Sequence, residues 1–130
     1  MAIRKNLLFV ALVFSFVSKG IGSIWDCTKD DIVIRQQRTG KKVHGKPEFS
    51  VYALNACPCF QDNVILDCTG FQTVQSIDPR EVAIRGNQCL LVNGSGLVPY
   101  SGASFYYAWD TEFPFKPLSA HLSCSSVPKV

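Results

Sequence analysis

The stretch "NACPCFQDNVILDC", residues 55–68, brings three of the chain's six cysteines within twelve residues. Two of them, Cys57 and Cys59, are separated only by Pro58. Clustered cysteines serve as metal ligands, as redox centres or as parts of a disulfide framework, and each use requires different surroundings. Which of the three uses applies here decides the class of fold.

Disulfides fit the cluster better than a metal or redox site. Zinc knuckles and thioredoxin-type motifs both place two residues between their cysteines, whereas this pair has one. The only histidines, His44 and His121, are distant in sequence. An even number of cysteines in a small secreted domain predicts three disulfides, with no metal ion and no cofactor. The cysteines are Cys27, Cys57, Cys59, Cys68, Cys89 and Cys124.

The pairing of these cysteines remains open at this stage. A bridge between Cys57 and Cys59 would close a strained ring around a proline. Of the roughly fifteen ways to pair six cysteines, about three contain that bridge, so about twelve remain. Each disulfide is expected to stabilise the fold by about 2–4 kcal/mol, a large fraction of a small domain's stability.

The first 22 residues have the pattern of a secretory signal peptide. Arg4 and Lys5 form a positive region, an apolar run covers residues 7–17, and Gly20 and Gly22 provide the small residues of a cleavage site. As a helix this run spans about 17 Å, too short for a hydrocarbon core of about 30 Å. We therefore predict that residues 1–22 are removed, that residues 23–130 form one domain secreted from the cell, and that it is not inserted in the membrane.

The charge of the predicted mature chain does not favour nucleic acid as a partner. The whole chain has 13 Lys and Arg residues against 10 Asp and Glu residues, a formal net charge of +3. Arg4, Lys5 and Lys19 all lie in the predicted leader. Without them acidic and basic residues are equal in number, so the sequence lacks the basic excess of a nucleic-acid-binding domain.

Short β-strands account for the pattern of the mature sequence. "EFSVYALN", residues 48–55, alternates with apolar residues on both faces, which favours a central strand. "NVILDCTGFQTVQSI", residues 63–77, contains two strand-like runs, and "TGKKVHGKP", residues 39–47, is typical of a solvated loop. Turn residues recur every eight to twelve positions, and helical periodicity is not sustained anywhere. We therefore predict an all-β fold, a small disulfide-stabilised antiparallel β-sandwich.

Three features of the surface are candidates for function. Asn93-Gly94-Ser95 is an N-glycosylation sequon that also fits a hairpin turn, which makes Asn93 a candidate glycan site. Tyr106, Tyr107 and Trp109 form a candidate binding surface, for protein or for stacked sugars. The basic residues of the 39–47 segment are either a solvated loop or a contact for an acidic partner.

Signatures of catalysis are weak in this sequence. A phosphate-binding glycine loop of standard spacing is missing, and an even cysteine count leaves none over as a nucleophile. Asp110 and Glu112 form a local acidic pair, but any two of ten acidic residues could meet across a cleft as glycosidase carboxylates do. We therefore predict a non-enzymatic protein with no catalytic residues.

The ordered motifs of the chain resemble one family. "DIVIRQQRTG", "NACPC", "NVILDCTGFQTVQSIDP" and "YAWDTEFPFKPLSAHLSC" are similar to segments of the plant tapetum determinant family, and the similarity covers nearly all of residues 27–124. It is closest to short homologues with a C-x-C pair. The tight pair and Trp109-Asp110 differ from the founding members, which implies a paralogue.

The resemblance implies a secreted, cysteine-rich signalling protein. Founding members of the family are ligands of a leucine-rich-repeat receptor kinase that specifies cell fate in anthers, so the implied partner is a receptor kinase ectodomain and the implied process is cell-fate specification or reproductive development. The alternative is a carbohydrate-binding module for cell-wall polysaccharide, with Tyr106, Tyr107 and Trp109 as stacking platforms.

Overall fold

Seven strands in two antiparallel sheets form the fold, which a computed structural model describes for residues 27–124. The strands are β1 (Ile32–Val43), β2 (Lys46–Asn55), β3 (Phe60–Asp67), β4 (Val82–Arg85), β5 (Gln88–Leu91), β6 (Gly102–Ala108) and β7 (Lys116–Ser123). Two 3-10 turns, Lys29–Asp31 and Val92–Gly94, are the other regular elements of this part of the chain. The predicted leader lies outside the described residues and stays a prediction.

The strand order confirms the predicted all-β sandwich. One sheet has the order β1-β2-β6 and the other the order β4-β5-β3-β7. The strand predicted as central, β2, lies in the middle of the three-stranded sheet, between β1 and β6. Pro117 lies in β7, an edge strand, where a residue without an N–H is tolerated. Between Cys27 and Cys124, no helix is long and apolar enough to cross a bilayer.

Side chains from both sheets meet in one core. Phe49, Val51 and Ala53 point inward from β2 at alternate positions, and Val64 and Leu66 of β3 lie in the same buried cluster. Alternation with period two follows from the pleat of a strand, in which successive side chains point to opposite faces. Burial of this apolar surface supplies the main driving force for bringing the two sheets together.

An aromatic cluster closes one side of this core. Phe71, which follows β3, lies 5.1–5.3 Å from the rings of Tyr107, Phe113 and Phe115. Phe115 also contacts Phe105 edge-to-face, with ring centroids 5.6 Å apart. Edge-to-face and tilted pairs at these distances stabilise beyond their buried area. The segment between β6 and β7, which contains Phe113 and Phe115, is therefore held by packing of its rings.

The prediction of a solvated loop at residues 39–47 was wrong, because these residues form the end of the hairpin of β1 and β2. This segment continues the ladder to Lys42↔Pro47 and Val43↔Lys46, with a register shift after Arg38. The chain reverses at His44 and Gly45, both with positive φ, the geometry of a two-residue hairpin turn. The sequence interpretation was wrong because it weighed the charges and the glycines, and it missed that His-Gly can form such a turn.

Two other local predictions were also wrong. Residues 71–77 do not form a strand; Val74 N–H donates to the Ala108 carbonyl, and the segment follows the edge of β6 without a ladder. The "NGSG" segment does not form a hairpin, because Val92–Gly94 is a 3-10 turn. The hairpin partner of β5 is β4, which comes before β5 in the chain. In both cases the tertiary surroundings override a local preference for strand or hairpin.

Candidate docking surface

The disulfides fix both ends of the described chain to the C-x-C pair. Cys57 is bonded to Cys27 and Cys59 to Cys124, while Cys68 and Cys89 link the end of β3 to β5. The two clustered cysteines therefore have different partners, in agreement with the argument that a bridge between them would be strained. The sulfurs of Cys27, Cys57 and Cys59 lie within 4.8 Å of one another, but as disulfides they lack the thiolate that binds a metal.

Asn55 holds the backbone around the C-x-C pair in place through hydrogen bonds. Its side chain is fully buried, and its amide nitrogen donates to the carbonyls of Cys59 and Leu97 at 2.8 and 3.0 Å. Its amide oxygen accepts a hydrogen bond from Gln61. Backbone bonds add to this, because Asn55 N–H donates to the Ser101 carbonyl. One buried amide thus connects β2, the C-x-C pair and the chain that leads into β6.

The outer side of the three-stranded sheet, which we call the open face, presents two exposed tyrosines. Tyr52 of β2 is 39 % exposed and Tyr106 of β6 is 47 % exposed. Tyr106 pairs with Ser50, and Tyr52 pairs with Ser104, so the two tyrosines occupy diagonal positions, about 7–8 Å apart. Arg35 of β1 lies directly opposite Tyr52, and the two line a depression of about 200 Å³. Sequence analysis singled out only Tyr106 among these residues.

Tyr107 does not belong to the predicted binding surface. It is fully buried, stacks on Phe49 with ring centroids 5.2 Å apart, and points to the opposite side of β6 from Tyr106. Its hydroxyl donates to Gln36 Oε1 at 2.6 Å and accepts from Phe113 N–H at 2.8 Å. Burial raises the pKa of this phenol above its ordinary value. Strand alternation, which separates neighbouring residues onto opposite faces, could have revealed this from sequence.

Trp109 is half-buried and is covered on one side by a lysine. Lys46 Nζ lies 5.3 Å from the ring centroid of Trp109 and forms an ion pair with Asp110 at 2.6 Å. Trp109 N–H also donates to the Pro47 carbonyl. These contacts fasten the start of β2 to the end of β6. The Trp109 ring is thus engaged in contacts within the domain. Of the three residues predicted to form a binding surface, only Tyr106 has a largely exposed ring.

A buried carboxylate lies at the end of the open face nearest the hairpin. Glu48 is 5 % exposed, and its two oxygens accept from the Thr39 hydroxyl at 2.7 Å and the Gln75 amide at 2.8 Å. These hydrogen bonds lower the pKa of Glu48, against the effect of burial, and the charge of Lys41 lowers it further. The same four residues and Tyr106 line an open groove of about 490 Å³.

Positive charge is concentrated on the β1–β2 hairpin. Residues 32–55 contain five Lys and Arg residues and one acidic residue, whereas the rest of the described chain contains four basic and eight acidic residues. The five cations are Arg35, Arg38, Lys41, Lys42 and Lys46. Within residues 27–124, Lys46 alone of the five forms an ion pair. Charge is therefore unevenly distributed along the net-neutral domain, a feature that the overall count of charges concealed.

The opposite sheet presents a different surface. A depression of about 230 Å³ is lined by Ile65, Leu90, Arg85 and two polar side chains on β3 and β5. The predicted glycan site, Asn93, is exposed and has a positive φ in the Val92–Gly94 turn. A Cβ at its neighbour Gly94 would meet the Asn63 side chain, so the turn lies against β3. A glycan at Asn93 would accordingly emerge beside the four-stranded sheet, away from the open face.

The residues considered for catalysis are dispersed over the surface. Asp110 pairs with Lys46, while Glu112 lies exposed in the segment that leads to β7. His121 Nδ1 lies 2.7 Å from Asp62 Oδ1, and both residues are on the four-stranded sheet. The histidine is exposed, as expected for an alternating strand at the edge of the sheet. This geometry brings neither Asp110 nor Glu112 to His121.

Comparison of the sequence with known proteins identifies its family. Residues 28–125 match the sequence model of the family described as Tapetum determinant 1, C-terminal. The chain belongs to the tapetum determinant 1 family.

Two curated relatives define its place in the tapetum determinant 1 family. It is 32 % identical over 102 residues to TPD1 protein homolog 1 of Arabidopsis thaliana, covering 76 % of this chain and 56 % of the relative. It is 28 % identical over 100 residues to TPD1 protein homolog 1B of Oryza sativa subsp. japonica, covering 75 % and 58 %. The chain thus spans a little over half the length of these relatives. No solved structure matches it significantly.

For this member of the tapetum determinant 1 family, all six cysteines lie within the matched segment or at its border. The family and the disulfide-linked fold fit an extracellular protein of the signalling type, because disulfides persist mainly in oxidising compartments.

Proposed function

We propose that the protein is a secreted signalling ligand of a plant leucine-rich-repeat receptor kinase, acting from the apoplast in cell-fate specification or reproductive development. The observation that carries this proposal is membership of the tapetum determinant 1 family across the disulfide-linked domain. The protein acts by binding, with no catalytic step of its own. Its partner is the receptor ectodomain.

The rigidity of the domain supports a role in docking. Three disulfides connect the two ends of the described chain to the C-x-C pair and the end of β3 to β5, so the exposed strands keep one geometry before binding. A surface that is ordered in advance loses less conformational entropy when it binds. Solenoid ectodomains present extended concave surfaces, which suit a small rigid ligand.

The chemistry of the open face supports protein recognition in particular. Tyrosine and arginine are enriched at the centres of protein interfaces, and this face places Tyr52, Tyr106 and Arg35 side by side. Exposed tyrosines supply contact area at a small cost in side-chain entropy. The carbohydrate alternative has less support, because Tyr107 is buried and Lys46 covers one side of Trp109.

A pull-down against a library of plant receptor kinase ectodomains tests the proposal. The bait is the secreted, oxidised protein, with a reduced and alkylated sample as the control for the disulfide-linked shape. We expect capture of at least one ectodomain by the oxidised protein and loss of capture after reduction. Binding to none of the ectodomains, together with retention on cell-wall glycans that Tyr106→Ala abolishes, would replace the proposal with the carbohydrate-binding function.

A further inference from the structure

The polarised charge of the domain indicates which side meets a partner. The β1–β2 hairpin contains five basic residues and one acidic residue, and that acidic residue, Glu48, is buried and hydrogen-bonded. The rest of the described chain contains four basic and eight acidic residues, of which Asp110 pairs with Lys46 of the hairpin. A dipole of this kind orients a protein as it approaches a charged surface, and the hairpin faces a negative one.

Both tyrosines and two of the cations, Arg35 and Lys41, lie on the open face. Lys42 lies at the adjoining hairpin tip, where its register with Pro47 places it on the other face of the strand. Arg35 is paired across strands with Tyr52, and Lys41 lines the same groove as Tyr106. Lys41 and Lys42 also line a smaller depression of about 90 Å³ on the hairpin. The surface thus has two half-exposed rings at its centre and cations at its edge, the usual arrangement of an interface with a packed core and a charged rim.

We infer that the open face and the hairpin tip, residues 39–47, form a docking surface for an acidic protein surface, with Tyr52 and Tyr106 as anchors and Arg35, Lys41 and Lys42 as the cations that orient the complex. The inference rests on the proposed function for the identity of the partner, a receptor ectodomain.

The hairpin offers a charge-matched pair of variants. Arg35→Glu/Lys42→Glu and Arg85→Glu/Lys116→Glu each reverse two exposed cations, so both change the net charge equally. None of the four side chains forms an ion pair within residues 27–124. The first pair lies on the hairpin and the second on the four-stranded sheet. Tyr106→Ala and Leu118→Ala form a second matched pair, since both side chains are exposed apolar groups on opposite sheets.

The first measurement is the affinity of each variant for a captured leucine-rich-repeat ectodomain, at two salt concentrations. We expect the hairpin variant and Tyr106→Ala each to bind at least about tenfold more weakly, and both control variants to bind within about threefold of the parent. The loss in the hairpin variant should come mainly from slower association and should shrink at high salt. Equal losses in the control variants, or none in the hairpin variant, would overturn the inference and leave the proposed function in place.

The second measurement does not depend on a receptor. Immobilised poly-L-glutamate at low salt should retain the net-neutral parent and the Arg85→Glu/Lys116→Glu variant, and should not retain Arg35→Glu/Lys42→Glu. Retention with this pattern but without capture by any ectodomain would refute the proposed function and preserve the docking surface for an acidic partner. A parent protein that is not retained, or a hairpin variant that is retained equally, would refute the docking surface. Preferential, hairpin-dependent binding to polygalacturonate over poly-L-glutamate would assign the surface to a wall polysaccharide and likewise overturn the inference.

Discussion

Tyr107 and Tyr106 lie on opposite faces of β6, and removal of the hydroxyl from each side chain in turn tests which face is buried. Tyr107→Phe keeps the ring in the core but removes the oxygen that donates to Gln36 Oε1 and accepts from Phe113 N–H. Each such hydrogen bond contributes about 0.5–1.5 kcal/mol net, so we expect the free energy of unfolding to fall by about 1–3 kcal/mol. The ring contacts with Phe49 and Phe71 remain, and the loss is therefore specific to the hydroxyl.

The neighbouring residue provides a matched control. Tyr106→Phe removes the same atom from a side chain that is 47 % exposed and has no side-chain hydrogen bond within the described range. We expect a change within about 0.5 kcal/mol. Thermal unfolding with the disulfides intact measures both, and about 1 kcal/mol corresponds to roughly 4–8 °C in Tm for a domain of this size. A neutral Tyr107→Phe, or an equal loss in Tyr106→Phe, would contradict the assignment of Tyr107 to the buried face of β6 and of Tyr106 to the open face.

Three other predictions test separate parts of the structure. Asn55→Ala should lower the free energy of unfolding by about 2–4 kcal/mol, measured by urea unfolding, because it leaves the Cys59 and Leu97 carbonyls without their buried donor. Glu48→Gln should reduce the acid sensitivity of stability: since the pKa of Glu48 is lowered on folding, its contribution is present above the ordinary glutamate pKa of about 4.3 and is lost as the pH falls below it. Thermal unfolding at pH 3 and pH 6 measures the difference. Asn93→Gln should abolish the glycosidase-sensitive mobility shift of the secreted protein, and a parent without such a shift would refute glycan occupancy.

The fold class and its central strand could be predicted from sequence because both depend on local alternation. In "EFSVYALN", Phe49, Val51 and Ala53 occupy one face, which is buried in the core, and their period of two is the signal of a strand. Tyr52 and Leu54 occupy the other face, which is the open face of the sheet. The three disulfides could also be predicted, because the cysteine count is even and because secretion and small size both favour disulfides. Neither the alternation nor the cysteine count predicts which cysteines are bonded to each other, because that depends on how distant segments meet in the fold.

The docking surface was only partly predictable. Tyr106 was identified, but it was grouped with Tyr107 because adjacent aromatics were considered together instead of by strand face. Tyr52 was missed because its partner across the sheet, Arg35, is distant in sequence and the pairing follows from the register of β1 and β2. The charge asymmetry was hidden by a net charge of zero. Each omission depends on which residues lie on one face of a strand or opposite each other in neighbouring strands, and this cannot be inferred from one segment of sequence at a time.

Mass spectrometry of the non-reduced protein recovered from the extracellular fluid tests the central claim most directly. The account predicts a chain that begins near residue 23, contains no free thiol, and yields disulfide-linked peptides that join Cys27 to Cys57, Cys59 to Cys124 and Cys68 to Cys89. A retained leader, alkylatable cysteines or a different set of linked peptides would contradict a secreted, disulfide-fixed scaffold that presents the open face.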